Sequence, residues 1–420
     1  MSLRIRRTRA SSAVLVFASL ALLLGFTPSA LASQSHAAKA PINIESISLT
    51  SIPGFDETGG EIADFDWINA HGGIDGHQVN LTQCYIGSII SESPTAAAGC
   101  AQQAVANNDL AVVGSFSNYD SDVLPTLQAA NIADFGDFPS TPIDATNGDS
   151  YPLILSTVFF DTGLSEELAV DGKCKTIGAL ISSGLPTTNQ AAKAIAAGAK
   201  FYGAKIVTPV LVSTTDADLA PAVATLESEG ATCIADAAAT NQATAIVTAV
   251  SQSGIQEKIA GIGPAFSPRT IAALGPLANG LFIDQTAQVD SQTSDCPGYT
   301  TQEKLFCTQM TTYEPGVISV GNADWPTYGA SVGFIIVVKY MISHHMALTA
   351  KNFRKAIPLT GTISTGFFAP VNFATTGPVK GFPRIHAASA NFLTIQNDVI
   401  VPIDRRNHNV SDAMVKYPNG

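Results

Sequence analysis

Apolar residues in this chain cluster in short runs that alternate with longer stretches of helical spacing. From Trp67 to Gly136 the order is a helix end (WINAHGG), a turn (IDGH) and an alternating strand (QVNLTQC). A helix (PTAAAGCAQQAVANN) leads to a buried strand (LAVVG), a polar loop (SFSNYDSD), a helix (VLPTLQAAN) and the strand IADFG. Strands of four to eight residues alternating with helices predict βαβ units and a parallel sheet. Ligands of such sheets sit beyond the carboxyl ends of the strands, which directs attention to the loop after LAVVG.

A second series follows Tyr151-Pro152. LILST reads as a strand and TGLSEELAVDG as a helix; KTIGALI is a buried strand, and SSGLPTTN opens the helix QAAKAIAAGAKFYG. AKIVTPV, DLAPAVATLESEG, TCIADAA, TAIVTAVSQSG, KIAGIG and GLFID continue the rhythm. Each series is large enough for its own doubly wound lobe. Beyond Asp284 the pattern breaks. Residues 291–320 read as a cysteine-pinned insertion with one short helix near Glu303–Thr312, and residues 326–347 as a long buried helix. The tail VNFATTGPVKGFPRIHAASANFLTIQNDVIVPI reads as antiparallel strands.

The amino terminus changes which residues count. Arg4, Arg6, Arg7 and Arg9 precede an apolar run from Ala13 to Phe26, and Ala30-Leu31-Ala32 supplies small residues before Ser33. This is the pattern of a secretory signal cleaved after Ala32. The run falls short of the roughly 20 residues that span a bilayer. No cysteine follows it to carry a lipid anchor, so the expected place is periplasmic or extracellular, with no membrane span in the mature chain. The formal net charge of −12 grows more negative once the leader's arginines are gone. An acidic surface repels nucleic acid, which excludes that class of partner.

All six cysteines lie in the exported part, which points to disulfides in an oxidising compartment. Six cysteines allow fifteen pairings. The layout favours Cys84 with Cys100, Cys174 with Cys233 on neighbouring apolar runs, and Cys296 with Cys307 in the insertion. No CxxC, and no histidine at ligand spacing from a cysteine, supports a metal site; His71 and His77 flank a turn and could bind a metal, although such residues are more often solvated. GxSxG, HExxH and P-loop motifs are absent, Gly261-Ile262-Gly263 lacks a third glycine, and no catalytic residue or cofactor is nominated.

Taken in order, INAHGGIDGHQVNL, AVVGSFSNYDSDVLPTLQAANIADF, YPLILST and GPVKGFPRI resemble extracellular solute-binding proteins of the Leu/Ile/Val-binding group. These are the binding components of branched-chain amino acid ABC importers. The resemblance implies the type I periplasmic-binding fold: two Rossmann-like, doubly wound α/β lobes joined by three crossovers, with a small-molecule ligand in the cleft and an ABC permease as partner. It implies that about Gln285–Ala356 returns to the first lobe and the tail to the second. The expected division is residues 1–32 signal, 41–156 with 285–358 first lobe, 157–284 with 359–405 second lobe, and 406–420 tail. Cys84–Cys100 also looks like a bridge common in the family's first lobe.

The resemblance carries binding roles onto several positions. Ser117-Asn118-Tyr119 takes the place of a loop that offers hydroxyl and backbone N–H groups to a ligand carboxylate, although Asn118 or Asp120 also suits a plain N-cap. Asp137 stands where a ligand amino group would be met, or is an ordinary turn residue. Thr187 and Ala239 stand where the family often has tyrosines, and Ala265 where it has an amine-binding glutamate. Without that carboxylate a buried ammonium loses its partner, so a standard branched-chain amino acid is not the expected ligand. Phe138, Phe266 and Phe55 could line a more apolar pocket or be core. A sensor of the same fold, or a secreted hydrolase with an unrecognised site, are the alternatives.

Overall fold

A computed structural model describes residues 39–50, 58–88, 91–255, 258–286, 300–316, 324–404 and 406–420. The expected signal segment, Phe55 and Cys296 lie outside them. The first series comprises β1 (Ile42–Ser48), α1 (Gly59–Ala70), β2 (Val79–Tyr85), α2 (Pro94–Asn107), β3 (Ala111–Val113), α3 (Asp120–Ala130), β4 (Ala133–Phe135) and β5 (Ser150–Tyr151). Its five strands form one parallel sheet in the order β2-β1-β3-β4-β5. All three residues of β3 and of β4 are buried, as expected for a parallel sheet covered on both faces. Local signals fix the ends of α2. Ser93 accepts a hydrogen bond from the Ala96 N–H, Pro94 opens the first turn, and Asn108 closes the helix in the left-handed region. The turn before β2 needs glycine: Gly73 sits at φ +77°, and a Cβ there would overlap the His77 carbonyl.

The second series comprises α4 (Thr157–Val170), β6 (Thr176–Ser182), α5 (Thr188–Phe201), β7 (Lys205–Ile206), β8 (Val210–Val212), α6 (Ala220–Ser228), β9 (Cys233–Ala237), α7 (Ala243–Ser251), β10 (Ile259–Ile262), α8 (Pro268–Leu274) and β11 (Phe282–Gln285). Then come α9 (Thr301–Tyr313), α10 (Asp324–Ser343), α11 (Ala350–Leu359), β12 (Thr362–Ile363), β13 (Val371–Asn372), β14 (Ser389–Gln396), β15 (Val399–Pro402), β16 (His408–Asn409) and α12 (Ser411–Lys416). The second sheet runs β15-β14-β11-β10-β9-β6-β7, with β8 also beside β6 and β16 beside β14. It is parallel from β11 to β7, and β14 adds antiparallel to β11 with Phe282 opposite Thr394.

The chain therefore crosses between two α/β lobes three times, after β5, after β11 and between α11 and β14. On the first return, α9 and α10 pack on α1, with the rings of Phe65 and Phe334 edge to face at 5.9 Å. Phe306, Trp325, Phe334 and Phe353 fill the first core, and Phe367, Phe368, Val371 and Phe373 join them. On the second return, β14 completes the other sheet, and α12 packs against α5.

One reading from the sequence fails in detail. LILST is not a strand: β5 ends at Tyr151, and α4 begins at Thr157. Leu153 and Ile154 pack into the first core while Leu155 packs into a cluster of the second lobe. The segment is apolar because a crossing between two cores is buried from both sides.

Cys84 is bridged to Cys100 and Cys174 to Cys233, with Cα separations of 5.7 Å and 6.1 Å. Cys307 is also disulfide-bonded. No described helix is long and apolar enough to cross a membrane.

Candidate functional site

Loops at the carboxyl ends of both sheets face each other across a cavity of about 180 Å³. The first lobe lines it with Gly114, Ser115 and Phe116 after β3, Asn118 before α3, Gly136, Phe138 and Ser140 after β4, and Trp325, Pro326 and Thr327 from the start of α10. The second lobe supplies Ile181 and Ser182 at the end of β6, Leu185, Thr187, Thr188 and Ala191 around the start of α5, Thr214, Ala237–Thr240 after β9, and Ile262 and Pro264 after β10. Thr157, Phe160 and Asp161 reach it from the start of α4, just past the first crossing. Placement at strand ends between two lobes is where this architecture gathers ligand contacts.

The residues nominated from the sequence separate into two groups. Asn118, Phe138, Thr187 and Ala239 line the cavity. The others among the described residues do not. Ser117 is buried behind the loop, with its hydroxyl directed to Glu92. Tyr119 packs against the core between α2 and α3. Asp137 is turned inward, where its Oδ2 accepts a hydrogen bond of 3.1 Å from Ser150. Ala265 and Phe266 belong to the second lobe's core, and Pro264 takes the lining position instead. Phe266 covers Gly261, where a Cβ would lie 2.8 Å from its ring. Asp137, Ala265 and Phe266 thus lie outside the cavity lining, each packed into its own lobe, which for Phe266 is the core alternative.

Several groups in or behind the cavity wall carried no sequence signal. Glu92, just before α2, reaches the amino end of α3. Its Oε1 accepts from the Asn118 backbone N–H at 2.6 Å and from Ser117 Oγ at 3.2 Å, and its Oε2 accepts from Asn118 Nδ2 at 2.8 Å. The helix terminus that would suit a ligand anion is therefore already occupied by a carboxylate of the chain itself. Asp161 is the single ionisable side chain among the described residues lining the cavity. It is 7% exposed, and burial pushes its carboxyl up to about 8 with no described counter-charge opposing it. The Thr157 hydroxyl and the Trp325 indole N–H are buried and find no hydrogen-bond partner among the described residues. Phe116 meets Phe138 edge to face at 5.2 Å, and Phe138 lies nearly parallel to Phe160 at 6.0 Å.

Behind the first lobe's wall sits a group of buried acids. Ser115 donates to Asp134, and the Thr141 backbone N–H donates to Asp144 at 2.8 Å. Burial and their mutual repulsion raise Asp120 and Asp137 well above the usual carboxylate range, and burial, the largest cause, raises Asp134 and Asp144 to about 7. Their hydrogen bonds go to one another or to the lobe's own loops. His71 and His77, the nearest thing to a metal pair in the sequence, bind backbone carbonyls instead. The one cluster with metal-ligand geometry among the described residues is Glu45 with Cys84 and Cys100, and those sulfurs are joined to each other.

Two parallel-sheet lobes with three crossings and a cleft lined from both sides define the type I periplasmic-binding class. The family model described as "Periplasmic binding protein" matches residues 57–313, and the chain belongs to that family of solute-binding proteins. A search of curated proteins returned no match. Among solved structures, a fatty acid ABC transporter substrate-binding protein from Thermomonospora curvata superposes with a TM-score of 0.73 at 16% identity, covering 91% of this chain and 95% of that one. A branched-chain amino acid ABC transporter protein from Thermus thermophilus with bound valine gives 0.72 at 14% identity, covering 90% and 99%. LivJ from Streptococcus pneumoniae in complex with isoleucine gives 0.70 at 14%, covering 88% and 100%. At these identities the likeness speaks for the fold.

Proposed function

We propose that this chain is an exported solute-binding protein that closes its lobes on a small, largely apolar solute and delivers it to an ABC importer. The cavity carries the reading: both lobes line it, and its walls are aromatic rings, aliphatic side chains and neutral hydroxyls with one buried carboxyl. Closure would bury the solute between lobes and draw binding energy from contacts to each. Importer service is supported by the family and by the names of the structural relatives, which belong to ABC transport systems. Export is supported by the arginine-rich leader and its apolar run.

A standard branched-chain amino acid fits this cleft poorly. Its carboxylate would compete with Glu92 at α3 and would meet no basic side chain among the described residues lining the cavity. The lobes we assign are residues 41–156 with 285–373, and 157–284 with β14 and β15, because Ile363, Phe367, Phe368, Val371 and Phe373 pack in the first core; β16 and α12 pack beside the latter.

A thermal-shift screen of amino acids, amides, short carboxylates, amines and aromatic compounds on the mature protein tests the reading. Ligands are expected to raise the unfolding midpoint, return unchanged, and lose at least tenfold in affinity in Ala239→Leu, which narrows the cavity. A hit whose affinity ignores Ala239→Leu would place binding elsewhere.

A further inference from the structure

We propose that the solute is an organic cation, an amine or quaternary ammonium with apolar substituents and no carboxylate, held between Asp161 and the faces of Phe116, Phe138 and Phe160. The inference rests on the reading of the cleft as the binding site and names the ligand class. Its first support is charge. Asp161 is buried and faces the cavity, and no lysine, arginine or histidine lies among the described residues lining it. A buried carboxylate persists when something pairs with it, and within the described part of the cleft that partner has to arrive with the ligand. The Thr157 hydroxyl stands one helical turn earlier on the same face of α4, and its oxygen has no partner among the described residues. Together they offer two acceptors to one ammonium group.

The second support is the aromatic wall. Phe116, Phe138 and Phe160 form a continuous set, with successive ring centroids 5.2 Å and 6.0 Å apart. Ring faces attract cations through their quadrupole, most strongly where water is excluded. A neutral apolar solute would use the rings but leave Asp161 and Thr157 unmatched.

An anionic solute fares worse. It would face Asp161 with no basic group nearby, and the amino end of α3 is already held by Glu92 at 2.6 Å. Burial holds the Asp161 carboxyl up at about 8, and a ligand cation beside it would offset that cost by pairing with the ionised form. The acidic surface, with net charge −12, also concentrates cations near the protein.

The test compares four probes of similar shape on the mature protein by calorimetry: benzyltrimethylammonium, benzylamine, benzyl alcohol and benzoate. Either cation is expected to bind at least tenfold more tightly than the alcohol, with benzoate weakest. Asp161→Asn, close to isosteric, should erase that preference by weakening the cations tenfold or more while leaving the alcohol unchanged. Phe138→Leu should weaken the cations more than the alcohol. Benzyl alcohol or benzoate binding best, with Asp161→Asn silent and Ala239→Leu disruptive, would overturn the cation class and leave the cleft reading standing. Binding of none of the four, or binding indifferent to Ala239→Leu, would overturn both.

Discussion

The two walls of the cleft are built on opposite principles. In the first lobe most polar groups near the cavity are bonded within the lobe, the Trp325 indole N–H being an exception among the described residues. Glu92 holds Ser117 and Asn118, Ser140 donates to the Ser117 carbonyl at 2.6 Å, and Asp134 and Asp144 take hydrogen bonds from Ser115 and Thr141. What this wall leaves toward the cavity is mainly ring surface. In the second lobe the wall sets small groups, Ala237, Ala238 and Ala239, Thr187, Thr214 and Thr240, beside the aliphatic Ile181, Leu185 and Ile262. Thr187 precedes α5 without a side-chain cap bond. A wall whose polar groups are already bonded is preorganised, while a wall of alanines and hydroxyls can approach solutes of different outline. Ligand chemistry would then be set by the first lobe and α4, and ligand size by the second lobe.

Removing the disulfides should give the largest change in stability and separate the lobes. Cys174–Cys233 joins residues 59 apart and Cys84–Cys100 residues 16 apart. The loop-entropy relation then assigns about 4 kcal/mol to the second-lobe bridge and about 3 kcal/mol to the first-lobe bridge. Paired Cys→Ser variants unfolded in denaturant check the order. A reversed order would mean that local packing around Cys84 outweighs chain entropy.

A pH titration of stability should come next in size. Asp134 and Asp144 keep their protons in the folded state up to about 7, whereas the unfolded chain loses them near 4. The native state binds more protons between those values, so this contribution is complete below about pH 4 and is lost as pH rises toward 7. Stability should fall between pH 5 and pH 8 by on the order of 3 kcal/mol. The double variant Asp134→Asn with Asp144→Asn should flatten the slope more than Asp236→Asn, whose carboxyl in the second lobe is raised to about 7 by burial alone against one backbone bond. A midpoint that climbs with pH across this window would refute the assignment.

Glu92→Ala should produce the smallest loss, about 2 kcal/mol, from three hydrogen bonds to a half-buried carboxylate. It should also make the midpoint respond to added acetate, because the amino end of α3 is then open to an external anion. Acetate acting equally on both proteins would show that Glu92 does not fill that place.

The strand–helix alternation, the two series and the return of the tail were legible because burial on both faces of a parallel strand leaves a continuous apolar run, and helices leave their own period. The turn at Gly73 and the start of α2 were legible for a related reason: each depends on residues adjacent in the chain. Asn118, Phe138, Thr187 and Ala239 could be placed at the cleft because they follow strands whose order was readable.

Direction was not readable. Whether Asp137 or Asp161 faces the cavity depends on packing between elements far apart in sequence, and periodicity reports that a residue is buried without saying beside what. Glu92 illustrates the limit: 26 residues separate it from the Asn118 amide it binds, and only the folded first lobe brings them together. Sequence alone determined the layers and the order of the chain through them. Tertiary structure decided which polar groups were matched inside a lobe and which were left facing the gap, because that matching is a property of neighbours in space.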